Sequence, residues 1–227
     1  MRTLAIIPAR GGSVRLPRKN VLAFMGEPLI HWTVRAAIES GVLDRVIVNT
    51  DDPEIAEAGL AAGAEVPFLR PAHLATSEAT SFDVVDDTLQ RLGTEPEYIV
   101  LLQPTSPLRV GSDVREAHAL IERTNAPAVV SVSAFDKLWP VMRQITPSGE
   151  LLQAALPLEG PPTHQLNGAI YCERVAAWRQ ARSFTPPGTR PYVMPPERSV
   201  DIDTALDFAV AQAVAAQFPE LFEAASA

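Results

Sequence analysis

Leu4-Ala5-Ile6-Ile7-Pro8-Ala9-Arg10-Gly11-Gly12-Ser13-Val14-Arg15-Leu16-Pro17-Arg18-Lys19-Asn20 joins two unlike halves. Leu4 to Ile7 is a continuous apolar run ending at Pro8, the pattern of a strand buried on both faces. Ala9 to Asn20 then carries paired glycines, Pro17 and four basic residues, so it reads as a loop. Glycine lets backbone N–H groups come close to a ligand's oxygen atoms, while Arg10, Arg15, Arg18 and Lys19 supply positive charge. Together they predict an anion cradle at the exit of a buried strand; the plainer reading is a solvated basic loop. No Gly-Lys-Ser/Thr ending is present, which excludes a Walker loop. Val14 and Arg15 stand where the dinucleotide fingerprint needs its third glycine, which excludes that device too.

Working outward, strand-like and helix-like stretches alternate. Helical spacing appears over Pro28 to Ser40, ahead of Gly41, and again from Pro53 to Ala62 with proline in the first turn. Further helices are expected at Ser81 to Leu92, Ser112 to Thr124 with Ser112 as N-cap, Val175 to Ala181 and Thr204 to Gln217. Apolar or β-branched runs predict strands at Arg45 to Thr50, Val66 to Leu69, Tyr98 to Leu102, Ala128 to Val132 and Leu166 to Tyr171. Such alternation implies an α/β fold with a mostly parallel sheet covered on both sides. Ligands then gather at the carboxyl ends of the strands. From Phe135 to Pro162 the pattern loosens, and short pieces around Pro147-Ser148-Gly149 suggest a hairpin or arm.

At 227 residues the chain is expected to form one domain, 1–227, with 135–165 as an excursion. A formal charge of −8 argues against wrapping a nucleic acid, although a local basic cluster still suits a small anion. The single cysteine, Cys172, can form neither an intramolecular disulfide nor a multi-cysteine zinc site. No signal peptide is evident, and no stretch approaches the roughly 20 apolar residues of a membrane span. A cytoplasmic protein without membrane or nucleic-acid partners is therefore expected.

The opening stretch from Ile6 to Asn20 resembles the signature of the acylneuraminate cytidylyltransferases, the CMP-sialic acid synthetases with their pseudaminic and legionaminic acid relatives. Matches recur in order along almost the whole chain. They comprise Thr50-Asp51-Asp52, Val66-Pro67-Phe68-Leu69-Arg70-Pro71, Ser81 with Asp83, Gln103-Pro104-Thr105-Ser106-Pro107-Leu108-Arg109, Asn167-Gly168-Ala169-Ile170-Tyr171 and Asp201-Ile202-Asp203. The resemblance implies a three-layer, nucleotide-diphospho-sugar transferase-like (Rossmann-like) fold with a small dimerisation arm. It implies transfer of CMP from CTP to a nine-carbon 2-keto sugar acid of sialic, legionaminic or pseudaminic type, releasing pyrophosphate.

For the matching positions the resemblance implies particular roles. Arg10 and Lys19 contact the triphosphate, with Ala9, Gly11, Gly12, Ser13 and Arg15 nearby. Asn20, Arg70 and Ser81 hold the nucleotide, and Gln103, Thr105, Ser106, Asn167 and Gly168 face the sugar. Asp201 and Asp203 hold Mg²⁺ or Mn²⁺. In a strand, residues two apart share a face, so the two carboxylates suit one hard cation; the alternative is that they cap the following helix. Catalysis is expected mainly from alignment and charge neutralisation. Arg10, Lys19 and Asp201 are the catalytic candidates, and Asp201 or a metal-bound hydroxide is placed to take a proton. His31, His73, His118 and His164 lie outside the matching motifs, although His164 adjoins the sugar strand.

Two departures stand out. Sialic-type enzymes carry lysine where this chain has Val14, while CMP-Kdo synthetases share its Ser-x-Arg-Leu-Pro-x-Lys form, so Arg15 is the natural replacement. Pro161-Pro162-Thr163-His164-Gln165 replaces the basic or tyrosine side chains usual before Asn-Gly. The arm, with Trp139, Leu151, Leu152 and Leu156 as interface candidates, implies a homodimer. The alternatives are a catalytically impaired nucleotide-binding homologue and a sugar-nucleotide pyrophosphorylase using another nucleotide or a CMP-Kdo-type acceptor.

Overall fold

The computed structural model describes residues 1–134, 143–145, 151–153 and 164–221. Strands β1 (Thr3–Pro8) and β5 (Tyr98–Leu102) form from the two apolar runs, and they lie side by side, parallel, in the interior of a six-stranded sheet. Beyond them run β4 (Arg45–Asn49), β6 (Ala128–Ala134), β9 (His164–Arg174) and β10 (Arg190–Val193), in the order β10-β6-β9-β5-β1-β4. Only β9 runs against its neighbours, pairing antiparallel with both β5 and β6. It fills the gap left when the chain crosses from β5 to β6.

Alternation along each strand feeds two separate cores. Ala5, Ile7, Val46, Val48, Tyr98, Val100 and Leu102 join helices α1 (Leu29–Glu39), α2 (Pro53–Ala61) and α4 (Gly111–Thr124) on one face. Leu4, Ile6, Ile47, Ile99 and Leu101 pack on the other face with α3 (Ser81–Leu92) and α5 (Val175–Ala181). Each such aliphatic side chain contributes about 1.5–3 kcal/mol by its burial. The result is three layers. A third cluster seats α6 (Ala205–Gln217) through Ala211 and Ala215 against Phe24, Leu29, Trp32, Leu108 and Ile202. Phe24 belongs to a minimal hairpin of β2 (Ala23–Phe24) and β3 (Glu27–Pro28).

Several expectations need correction. Val66 to Leu69 forms no strand; only Glu65 bridges to Ile47, and Pro67 has no N–H to extend a ladder. Helix α4 begins at Gly111, not after a Ser112 cap. The Asp113 carboxylate accepts from the Val110 N–H at 3.0 Å, so a side chain inside the first turn closes that end. Strand β10 gives no sequence signal because it is a mostly exposed edge strand carrying Pro191, which only an edge tolerates. Asp201 to Asp203 is not a strand. Asp203 does not cap α6 either: Thr204 is the cap, in a reciprocal box with Asp207.

In the irregular segment, β7 (Arg143–Ile145) and β8 (Leu151–Gln153) pair antiparallel, as the hairpin reading expects. Trp139 and Leu156 lie outside the described residues, and Leu151 and Leu152 fall within β8. No helix among the described residues is long and apolar enough to cross a membrane.

Candidate functional site

After β1 the chain goes to β4 on one side of the sheet and then returns to β5 on the other. The order therefore reverses at β1, and the loops leaving the neighbouring strands β1 and β5 border a crevice at the carboxyl edge of the sheet. A cavity of about 530 Å³ occupies that crevice. The β1 exit loop supplies Arg10, Ser13, Val14, Arg15, Lys19 and Asn20, and the β5 exit loop supplies Gln103 and Thr105. Arg70, Ser81, Asp201 and Asp203 complete the predicted residues on its wall. Four cationic side chains thus face two carboxylates, a positive hollow in an acidic protein.

The basic residues are not equivalent. The Arg10 side chain makes no hydrogen bond or ion pair among the described residues, so its guanidinium is available to a ligand. Lys19 donates to the Ile202 carbonyl at 2.7 Å and to Asp203 at 3.1 Å. Arg15 donates to the other Asp203 oxygen at 2.7 Å. Arg18 turns away from the cavity to pair with Asp52 at 2.6 Å and with Glu54. Gly11 and Gly12 are not among the cavity's wall residues. The Gly11 N–H donates to Asp51 at 3.0 Å, and a β-carbon at Gly11 would come within 2.6 Å of an Asp52 oxygen. The glycine is needed there to let the cradle pack against the acidic turn after β4. Ala9 is likewise buried, its N–H bonded to the Asn49 carbonyl at 2.9 Å.

Arg70 is locked by Asn49, whose side-chain oxygen accepts from Nε at 2.5 Å and whose carbonyl accepts from one Nη at 2.6 Å. Burial pulls its pKa down to about 10, which still leaves it charged at neutral pH. Asn20 donates to the Arg10 carbonyl at 3.1 Å, while its side-chain oxygen is buried without a partner beside the cavity. Ser81 begins α3, whose N-terminal end therefore meets the cavity. Between Arg70 and Ser81, the cavity wall is completed by Leu74, Thr76, Ser77 and Ala79. Sequence reasoning missed these four, since a short irregular connection carries no periodic signal.

At the other end, Gln103 leads the loop after β5. Gly168 has φ +77°, and a β-carbon there would come within 2.7 Å of the Gln103 Oε1. Gly168 thus shapes the cavity from behind rather than lining it. Asn167 is also withdrawn: its side chain accepts from Ser131 at 2.6 Å and donates to Ser199 at 3.0 Å. Ser106 is buried with its hydroxyl unpartnered, and Thr105 accepts from the Ile202 N–H at 2.8 Å through its carbonyl. His164 starts β9 opposite Ala134 and is not among the cavity's wall residues. Asp201 reaches solvent through the cavity, yet the protein packed around it raises its pKa, as does the Asp203 charge; the Thr105 hydroxyl and Lys19 oppose this. A carboxylate in that setting can accept a proton or hold a hard cation next to phosphate oxygens.

Residues 4–136 match the family model described as cytidylyltransferase. The chain is 36% identical over 222 residues to a CMP-N,N'-diacetyllegionaminic acid synthase of Legionella pneumophila, covering 93% of this chain and 95% of that protein. It is 30% identical over 223 residues to a pseudaminic acid cytidylyltransferase of Campylobacter jejuni, with 93% and 95% covered. An N-acylneuraminate cytidylyltransferase of Streptococcus agalactiae is 35% identical over 216 residues, which cover 92% of this chain and 52% of that longer protein. Among solved structures, a CMP-2-keto-3-deoxy-manno-octonic acid synthetase complexed with CTP superposes with a TM-score of 0.71 at 19% identity, covering 96% of this chain and 99% of that one. A 4-diphosphocytidyl-2C-methyl-D-erythritol synthase from Anaerococcus prevotii gives 0.64 at 12%, covering 93% and 97%. At these identities the structural likeness is one of fold.

Proposed function

Since this chain belongs to the cytidylyltransferase family, we propose that it transfers CMP from CTP to a nine-carbon 2-keto sugar acid of the sialic, legionaminic or pseudaminic class, releasing pyrophosphate. The observation that carries this reading is the convergence of Arg10, Lys19, Arg70 and Gln103 on one cavity at the sheet's switch point. A triphosphate needs several fixed cations, and the acidic acceptor must reach its α-phosphorus from one side. The cavity has its cations along the β1 loop and its neutral amide at the β5 exit.

In this arrangement Arg10 and Lys19 hold the phosphates, while Arg70, Asn20 and Ser81 hold the nucleoside. Gln103 and Thr105 orient the sugar so that its anomeric hydroxyl stands in line with the bond that breaks. Fixed donors aimed at charge that develops during transfer provide most of the acceleration. Asp201 is the base candidate: its raised pKa suits a group that takes the hydroxyl proton.

As the alternative to that base role, the Asp201 carboxylate together with phosphate oxygens fits a hard divalent cation, Mg²⁺ or Mn²⁺. When bound it would neutralise phosphate charge and stabilise the leaving pyrophosphate. Asp203 has both oxygens engaged by Arg15 and Lys19, so it joins such a site only by releasing them. We further read the protein as one cytoplasmic domain that pairs as a homodimer through 135–165.

The deciding experiment incubates purified protein with CTP, Mg²⁺ and a panel of sugar acids, with products identified by mass spectrometry. A CMP-sugar from at least one nine-carbon acid is expected. Absence of pyrophosphate release with every acid would overturn the reading, and preference for another nucleotide or an eight-carbon acid would redirect it.

A further inference from the structure

Arg109 lies outside the cavity and is only 2% exposed. One of its Nη atoms donates to two carbonyls at once, that of Ala169 at 2.7 Å and that of Gln103 at 3.3 Å. The Gln103 carbonyl also accepts from the Ser106 N–H at 3.4 Å and faces the Thr33 hydroxyl at 3.5 Å. Meanwhile Gly168, the residue before Ala169, presses on the Gln103 side chain from behind. The Arg109 guanidinium therefore ties the end of β5 to the same turn of β9 that limits where the Gln103 amide can go.

A buried guanidinium is an unfavourable way to fill space. Burial pulls the Arg109 pKa down to about 10, and Nε and the second Nη are buried with no partner. Apolar side chains of similar volume often replace buried charges at little cost to stability. What they cannot supply is a donor reaching both carbonyls. A guanidinium can, because one Nη carries two N–H bonds held in the fixed plane of the group.

We propose that Arg109 is the positioning residue of the acceptor half of the site, holding Gln103 at the height and direction at which its amide meets the sugar acid. It touches neither substrate and acts through Gln103. The proposal deepens the cytidylyl-transfer reading and rests on the placement of Gln103 at the acceptor end.

The test uses full-length Arg109→Met and Arg109→Lys proteins, the first removing every donor and the second restoring one charged nitrogen without the guanidinium's fixed plane. Expected for Arg109→Met is a loss of at least tenfold in kcat/KM for the sugar acid. CTP affinity, measured by titration without acceptor, stays within threefold of the parent, and Arg109→Lys recovers part of the loss. The side-chain amide resonances of Gln103, followed by ¹H–¹⁵N spectroscopy, shift or broaden in Arg109→Met. Equal losses towards CTP and sugar acid would overturn the proposal. So would unchanged Gln103 amide resonances in a folded variant, the result of a merely structural role. If the parent protein turned over no sugar acid, the functional reading would fall, and the Gln103 resonances would still decide the positioning role.

Discussion

Gly168 approaches Gln103 so closely that a β-carbon on the glycine would stand 2.7 Å from the glutamine's Oε1. Gly168 also holds φ +77°, a conformation costly for any other residue. Gly168→Ala therefore adds strain and a collision to the same place. The expected result is a loss of about 1–3 kcal/mol in stability together with a raised KM for the sugar acid. Urea unfolding and steady-state kinetics check both. Normal acceptor kinetics in a destabilised variant would detach Gly168 from the site.

Asp203 and Asp201 are separable. Asp203 sits between Arg15 and Lys19, whereas Asp201 carries a raised pKa and, among the described residues, no cationic partner within hydrogen-bonding distance. Asp201→Asn is expected to raise the Mg²⁺ concentration for half-maximal rate by about tenfold or more, the usual scale for losing a metal-site carboxylate or its support. Asp203→Asn removes a competing anion from two cations. Inorganic tripolyphosphate should bind about threefold tighter to it, roughly 0.6 kcal/mol, within the range of one screened charge interaction. Calorimetric titration with tripolyphosphate and Mg²⁺-dependent rates discriminate the two. A large Mg²⁺ effect in Asp203→Asn would make both carboxylates cation ligands.

The fold and the site are legible in the sequence where the signal is local and hidden where it is not. The runs Leu4–Ile7 and Tyr98–Leu102 announce buried strands by composition alone, and both form interior strands of the sheet with a neighbour on each side. The family resemblance assigns Arg10, Lys19, Arg70 and Gln103 to one site, and one cavity gathers them. Arg18 cannot be separated from Arg10 by sequence within the loop, because its partners Asp52 and Glu54 come from a turn more than 30 residues on. Asn167 reads as a sugar contact, yet Ser131 and Ser199 claim its side chain. Those competitors are tertiary, and no spacing rule reveals them. Arg109 carries no functional signal beyond its place in a motif, since its importance lies in two carbonyls 66 residues apart.

Glu173, on β9, is fully buried with both carboxylate oxygens unpartnered, and burial pushes its pKa up to about 9. Its unfolded value is near 4.5. The folded state therefore keeps a proton that the unfolded chain has released across that interval. The associated stability is fully present below about 4.5 and drains away as pH rises towards about 9, at up to ~1.4 kcal/mol per unit. Glu173→Gln, neutral throughout, should match the parent below about 4.5 and exceed it increasingly as pH rises towards about 9. Urea midpoints measured across that range would show diverging profiles; parallel ones would mean that Glu173 finds water or a partner when it ionises.

Val14 is 83% exposed and lies on the cavity wall between Ser13 and Arg15, at the position where the sequence resemblance leads one to expect lysine. An exposed substitution there should alter stability by less than about 0.5 kcal/mol. Its electrostatic effect depends on Arg15. Because Arg15 is paired with Asp203, it delivers less net charge to a phosphate than a free ammonium would. Val14→Lys is accordingly expected to lower KM for CTP by about three- to tenfold at low salt, with the gain shrinking as ionic strength rises. Steady-state rates at two salt concentrations measure this. An unchanged KM at both would show that Arg15 leaves Asp203 for the triphosphate when CTP binds and already fills the lysine's place.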